Sequence, residues 1–113
     1  MANQRVTLDA LYHAMSDATR RAIVEQLIAG PKSVSDLAAP HPIALPTFLK
    51  HLRVLENSGL VRSEKQGRVR TCHLDPQWLA TAEDWFRRQR KRAGQRLDRL
   101  AALSEQMERN DQK

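Results

Sequence analysis

The stretch Ala44-Leu45-Pro46-Thr47-Phe48-Leu49-Lys50-His51-Leu52-Arg53-Val54-Leu55-Glu56 decides how this chain folds. Leu45, Phe48, Leu52 and Leu55 recur at helical spacing and predict one apolar face. Pro46 suits a first helical turn, where its missing N–H costs nothing. Thr47, Lys50 and Arg53 share the opposite, solvent-facing side. Asn57-Ser58-Gly59 is a helix stop. Residues 60–74 then read as two short strands around Gln66-Gly67. A short helix with a basic outer face, joined to a basic hairpin, suits insertion into a major groove with a flanking wing.

Upstream, Leu8, Leu11, Tyr12 and Met15 are apolar at helical spacing and predict a first helix over residues 7–15. Ser16-Asp17 offers the next N-cap. A second helix runs to about residue 29, with Ala22, Ile23, Leu27 and Ile28 expected to face a core. Gly30-Pro31 ends it. Ser33-Val34 reads as a short β-arm, and Ser35 as the cap of a brief third helix containing Leu37 and Ala38. Pro40-His41-Pro42 forces a turn.

Downstream, Asp75-Pro76 is a helix start, with Asp as N-cap and Pro at the first helical position. Nothing breaks that helix strongly before about residue 110, although Gly94 weakens it locally. The predicted length is roughly 35 residues. Its apolar stripe includes Trp78, Leu79, Ala82, Trp85, Phe86, Ala93, Leu97, Leu100, Leu103 and Met107. Phe86, Ala93, Leu100 and Met107 form a heptad series. The first part can cover its own domain; the remainder needs a partner, and the simplest is a second copy. Only the last few residues are expected to fray.

At 113 residues the expected organisation is a single domain over residues 1–113. No run of about 18 apolar residues exists, so no membrane span is expected. The N-terminus lacks the basic-then-apolar pattern of a signal peptide. One cysteine, Cys72, excludes an internal disulfide framework. Together these favour the cytoplasm. The net charge of +6 favours a polyanionic partner. Its placement is uneven. Residues 1–56 hold six Lys/Arg against five acids, so the excess lies later. It falls in the hairpin (Arg62, Lys65, Arg68, Arg70) and the last helix (Arg87, Arg88, Arg90, Lys91, Arg92, Arg96, Arg99).

The predicted order is helix, helix, short arm, short helix, recognition helix, hairpin, long helix. This is a mainly α winged helix-turn-helix with a two-stranded wing. Over residues 8–103 the chain resembles the ArsR family of small bacterial repressors. The resemblance is carried by Met15-Ser16-Asp17-Ala18-Thr19-Arg20-Arg21, Val34-Ser35-Asp36-Leu37-Ala38 and Leu45-Pro46. It continues through Lys50-His51-Leu52-Arg53-Val54-Leu55, Ser58-Gly59-Leu60-Val61 and Gly67-Arg68-Val69-Arg70, which lead to Leu74-Asp75-Pro76. It implies a homodimer that binds a palindromic operator in double-stranded DNA and represses transcription. Dimerisation elements are then expected at about 5–16 (Leu8, Leu11, Tyr12, Met15) and 76–108 (Ala93, Leu97, Leu100, Leu103). Positions matching the family's base-contacting residues are Leu45, Pro46, Leu49 and Lys50, with Thr47 beside them. Two departures stand out. Ala44 and Leu49 replace residues that are often Ser, removing hydroxyls that could bond phosphate or base. Leu49 has two readings: apolar contact with a thymine methyl, or packing against the neighbouring helix.

In the wing, Gly67 permits a tight turn because it accepts positive φ. Arg68 at the tip could reach a minor groove or phosphate, and Lys65 and Arg70 are expected phosphate contacts. The alternative is a solvated hairpin whose charges serve solubility. His51 either braces the recognition helix or touches phosphate, and Arg53 shares its outer face. Residues 87–92 have three readings: a solvated helix face, an extension of the phosphate-binding surface, or a site for an anionic lipid or partner helix.

Neither place where the family commonly binds metal carries its ligands. Ser33-Val34-Ser35-Asp36-Leu37 has no cysteine, and the last helix has no histidine. Thiolate and imidazole are the ligands transition metals favour, so no metal cofactor is expected. Cys72 shares strand parity with Leu74, which predicts a buried small hydrophobe. The alternative is a redox switch activated by Arg70 and His73. No Ser/His/Asp set or Gly-rich phosphate loop is present, so no enzyme is expected. The competing functional reading is a winged-helix protein-interaction module that does not bind DNA.

Overall fold

The computed structural model describes residues 7–111; Arg5 and Val6, at the start of the first expected dimerisation element, lie outside them. The elements are α1 (Leu8–Met15), α2 (Ala18–Ile28), β1 (Lys32–Ser33), α3 (Val34–Ala38), α4 (Leu45–Asn57), β2 (Val61–Gln66), β3 (Val69–Leu74) and α5 (Gln77–Asp111). Short polar side chains start most helices, each accepting an otherwise orphaned backbone N–H. Thr7 Oγ1 accepts from Ala10 N at 3.1 Å and Asp17 Oδ2 from Arg20 N at 3.0 Å. Asp75 Oδ1 accepts from Gln77 N at 2.9 Å. The cap of α3 is Ser33, not the expected Ser35: Ser33 Oγ accepts from Asp36 N at 3.1 Å. The arm accordingly sits one residue earlier than expected, at Lys32–Ser33.

The chain divides into two compact units, Met1–Ala82 and Glu83–Lys113. The first has one core, built from Leu11, Ala14, Ile23, Val24, Leu27, Leu37, Phe48, Leu52, Leu55, Leu60, Val61 and Cys72. Trp78 and Ala82, on the first turns of α5, pack against it. Two expected core positions face outward instead. Ile28 is 64% exposed and Leu45 is 56% exposed. Each lies at the end of its helix, where the apolar stripe has turned off the core. Val24, beside Ile23, takes the inward position in α2.

The sheet has strand order β1-β3-β2 with both pairings antiparallel. Lys32 faces Cys72, and the hairpin closes at Gln66 opposite Val69. The turn residues are therefore Gly67 and Arg68, one position later than Gln66-Gly67. Gly67 has φ +63° and Arg68 does not have positive φ, the pattern of a type II′ turn with Gly at its first central position.

The second unit is the remainder of α5. Phe86, Leu97, Leu100, Leu103 and Met107 are all more than half exposed there. Among the described residues no helix is long and apolar enough to cross a membrane.

Candidate nucleic-acid interface

The recognition helix is amphipathic in the sense the sequence predicts. Phe48, Leu52 and Leu55 are buried, while Pro46, Thr47, Lys50 and Arg53 are exposed. Leu45 joins the exposed set. Leu49 is partly buried and packs against the core, which is the packing alternative for that position. Ala44 precedes the helix with extended backbone and makes no side-chain cap. Its carbonyl still accepts from Phe48 N at 3.0 Å, and Pro46 removes one donor that would otherwise need a partner.

Two side-chain clusters hold α4 in place. At its middle, His51 is braced from below: His51 Nδ1 lies 3.3 Å from Arg20 Nη1 and 3.6 Å from Asp17 Oδ2. Arginine has no acceptor, so Nδ1 accepts in the first contact. Arg20 also donates from Nε to the Ala14 carbonyl at 2.8 Å and from Nη2 to the His13 carbonyl at 3.1 Å. One guanidinium thus joins the last turn of α1 to the recognition helix. The Asp17 carboxyl is held below the usual carboxylate range, chiefly by the N–H of Arg20 and further by the charge of its guanidinium. His51, partly buried here, occupies the bracing position.

At the end of α4, Glu56 receives the wing. Arg70 Nη2 donates to both Glu56 carboxylate oxygens. Arg70 Nε donates to Ser63 Oγ at 3.1 Å, and Ser63 Oγ donates to Glu56 Oε2 at 2.9 Å. Arg70 was expected at phosphate; the structure engages it within the protomer, because Glu56 lies on the same side of the hairpin and offers a bidentate acceptor. Leu49, Arg53, Glu56, Asn57 and Arg70 line an open groove of about 290 Å³ between α4 and the wing. Lys65 and Arg68 remain exposed towards the tip.

The helix-turn-helix angle has its own tie. His41 Nε2 lies 2.7 Å from Gln26 Oε1, Gln26 Nε2 donates to the Leu37 carbonyl at 3.2 Å, and the His41 ring lies 5.5 Å from that of Phe48. The histidine expected only as part of a Pro-bounded turn therefore links α2, α3 and α4. Arg20, Gln26 and Glu56 escaped the sequence reading because their partners lie 31, 15 and 14 residues away.

Of the expected dimerisation positions, Leu11 is 5% exposed and belongs to the core of its own protomer. Its side chain packs within that core. Leu8 and Met15 are partly buried, and Tyr12 is 46% exposed. Ala93, Leu97, Leu100 and Leu103 are exposed on α5. Cys72 is fully buried, and burial pushes its thiol up, with Glu56 adding to the effect and Arg70 opposing it. Among the described residues, no three His, Cys, Asp or Glu side chains group as metal ligands would.

Comparison with known proteins agrees with this geometry. A model described as a helix-turn-helix domain matches residues 15–64. The chain is 43% identical over 72 residues to the HTH-type transcriptional regulator Rv2034 of Mycobacterium tuberculosis, covering 64% of this chain and 67% of that one. It is 26% identical over 79 residues to the transcriptional repressor SdpR of Bacillus subtilis, covering 70% and 88% respectively. Among solved structures, the ArsR family transcriptional regulator RHA00566 superposes with a TM-score of 0.72 at 44% identity, over 74% of this chain and 92% of that one.

Proposed function

Because the chain belongs to the ArsR family of winged-helix transcriptional regulators, we propose that two copies bind a palindromic operator and repress transcription in the bacterial cytoplasm. The observation that carries this reading is the exposed face of α4. Thr47, Lys50 and Arg53 line it while Phe48, Leu52 and Leu55 anchor the helix behind. A helix held this firmly can enter a major groove without reorganising. Lys50 reads a base edge or an adjacent phosphate, Leu45 and Pro46 offer apolar contact to thymine methyls, and Thr47 supplies a hydroxyl. Arg53, Lys65 and Arg68 neutralise phosphates, which position the protein without specifying sequence. His51 and Arg70 act one step back: they hold α4 and the wing at a fixed angle.

In the dimer, two α4 helices meet successive major grooves about 34 Å apart. Leu8, Tyr12 and Met15 at one end and Ala93, Leu97, Leu100 and Leu103 on α5 supply the self-association surface. The inducing signal acts elsewhere than through the family's usual metal positions, since residues 33–37 lack cysteine and α5 lacks histidine.

Retardation of genomic fragments by the pure protein tests the reading, with the protein's own promoter included. Lys50→Ala should weaken operator binding by about 1–3 kcal/mol and relax preference at one position of each half-site. Arg68→Ala should weaken all sequences alike and flatten the salt dependence by about one contact per protomer. If no fragment shows salt-sensitive retardation, the repressor reading fails.

A further inference from the structure

Residues 87–99 of α5 carry seven cations, Arg87, Arg88, Arg90, Lys91, Arg92, Arg96 and Arg99, against one acid, Asp98. A helix face that is merely solvated gains from opposite charges three or four residues apart. Only the start of this segment does so. Arg87 lies 3.9 Å from Glu83 and Arg88 lies 3.2 Å from Asp84. Beyond them the spacing inverts: 87/91, 88/92 and 92/96 are like charges at i,i+4, and 87/90, 88/91 and 96/99 are like charges at i,i+3. Such pairs destabilise an isolated helix. Asp98 relieves none of them, since its helical neighbours are Gly94, Gln95, Ala101 and Ala102. Gly94 weakens the same segment further.

The cations are also sorted around the helix. At 3.6 residues per turn, Arg88, Lys91, Arg92 and Arg99 share one arc of about 100°, with Arg88 and Lys91 away from Ala93, Leu100 and Met107 and with Arg92 and Arg99 flanking that stripe beside Leu103. Self-association through the apolar stripe therefore leaves Arg88 and Lys91 in solvent and Arg92 and Arg99 at its edge. Arg88, Lys91 and Arg92 line an open concavity of about 430 Å³ with Trp85, Gln89 and Gln95. Its lining combines three cations with one aromatic ring.

We propose that this face of α5 is a second polyanion-binding surface, and that its ligand is the sugar-phosphate backbone of double-stranded DNA, outside the α4 and wing contacts. The inference rests on the DNA-binding reading above, which selects DNA among polyanions. A phosphate array relieves the like-charge repulsion that the ion pairs of Arg87 and Arg88 offset only at the start of the segment, and counterion release supplies the drive. The contact carries no sequence information.

The test uses the full chain and a duplex of random sequence, followed through a salt titration by fluorescence anisotropy. A variant R88Q/K91Q/R92Q/R99Q should show a slope of log affinity against log salt that is shallower by about 3–4 per protomer, with helix content by circular dichroism unchanged. The variant R88K/R92K/R99K should keep the wild-type slope. The pair K50A/R68A should lose operator preference yet retain most random-duplex binding. A wild-type slope in the glutamine variant overturns the proposal. So does unchanged duplex binding with lost binding to phosphatidylserine vesicles, which would make the surface a lipid site. Full operator preference in K50A/R68A would instead sink the α4 reading, leaving the α5 slope to be judged by itself.

Discussion

Asp75 joins three segments through one carboxylate. Oδ1 caps α5 at Gln77 N, and Oδ2 accepts from Arg62 Nε of β2 at 2.8 Å. Its own backbone N–H donates to the Leu60 carbonyl at 2.9 Å. The Gln77 N–H, followed by Arg62, holds the carboxyl below the usual carboxylate range. A depressed carboxylate stabilises the fold above its unfolded value, about 4, and the benefit is lost as pH falls through the lower folded value. Asp75→Ala should therefore cost about 1–2 kcal/mol near neutrality, and the gap to the wild-type Tm should narrow, as the charge-dependent part is lost, when pH falls below about 4. Asp75→Asn keeps the cap and loses only the charge on half-exposed Arg62, so it should cost less than 1 kcal/mol. Thermal melts across pH read both. An alanine variant as stable as the asparagine variant would refute the capping account.

At the scale of elements, α4 is the helix whose start is least secured. Every other helix longer than one turn in the first unit has an oxygen side chain at its N-cap; α4 has Ala44. Ala44→Ser should raise stability by about 0.5–1 kcal/mol, seen as a higher Tm. An unchanged or lower Tm would mean that the extended entry, with Pro46 behind it, already satisfies the first turn. The element boundaries were legible because their signals are local: Asp17 and Asp75 as caps, Gly59 and Gly67 at positive φ, Phe48, Leu52 and Leu55 on one face. Local signals also mislead: Ser35 reads as a cap where Ser33 caps α3, and Ile28 reads as a core position where it is exposed. Arg70 illustrates the deeper limit. Its residue type and position in the wing predict a phosphate contact, but the folded hairpin brings it to Glu56. No periodicity records that meeting. Exposed Thr47, Lys50 and Arg53 on α4, by contrast, followed from spacing alone.

For the whole molecule, the consequential surface is the apolar stripe of α5. Leu97 and Leu100 are 65% and 56% exposed, apolar surface that is unfavourable to leave in water. If self-association runs through this stripe as proposed, Leu97→Glu with Leu100→Glu should shift the protein from dimer to monomer in sedimentation and lower operator affinity at least about tenfold, since a monomer reads one half-site. The melting of the first unit should move by less than about 1 kcal/mol, because neither leucine belongs to its core. A double variant that remains dimeric would assign self-association to α1 instead. The sheet holds one more consequence. Cys72 sits on its central strand, opposite Lys32 on one side and Ser63 on the other, with no exposed surface and a thiol pushed up by burial. Thiolate fraction and access are what alkylating dyes require, and this thiol offers neither. The native chain is therefore a ready host for site-specific labelling. A cysteine introduced at exposed Ser104 takes a maleimide fluorophore alone, and the wild-type residue needs no removal before distances between protomers are measured.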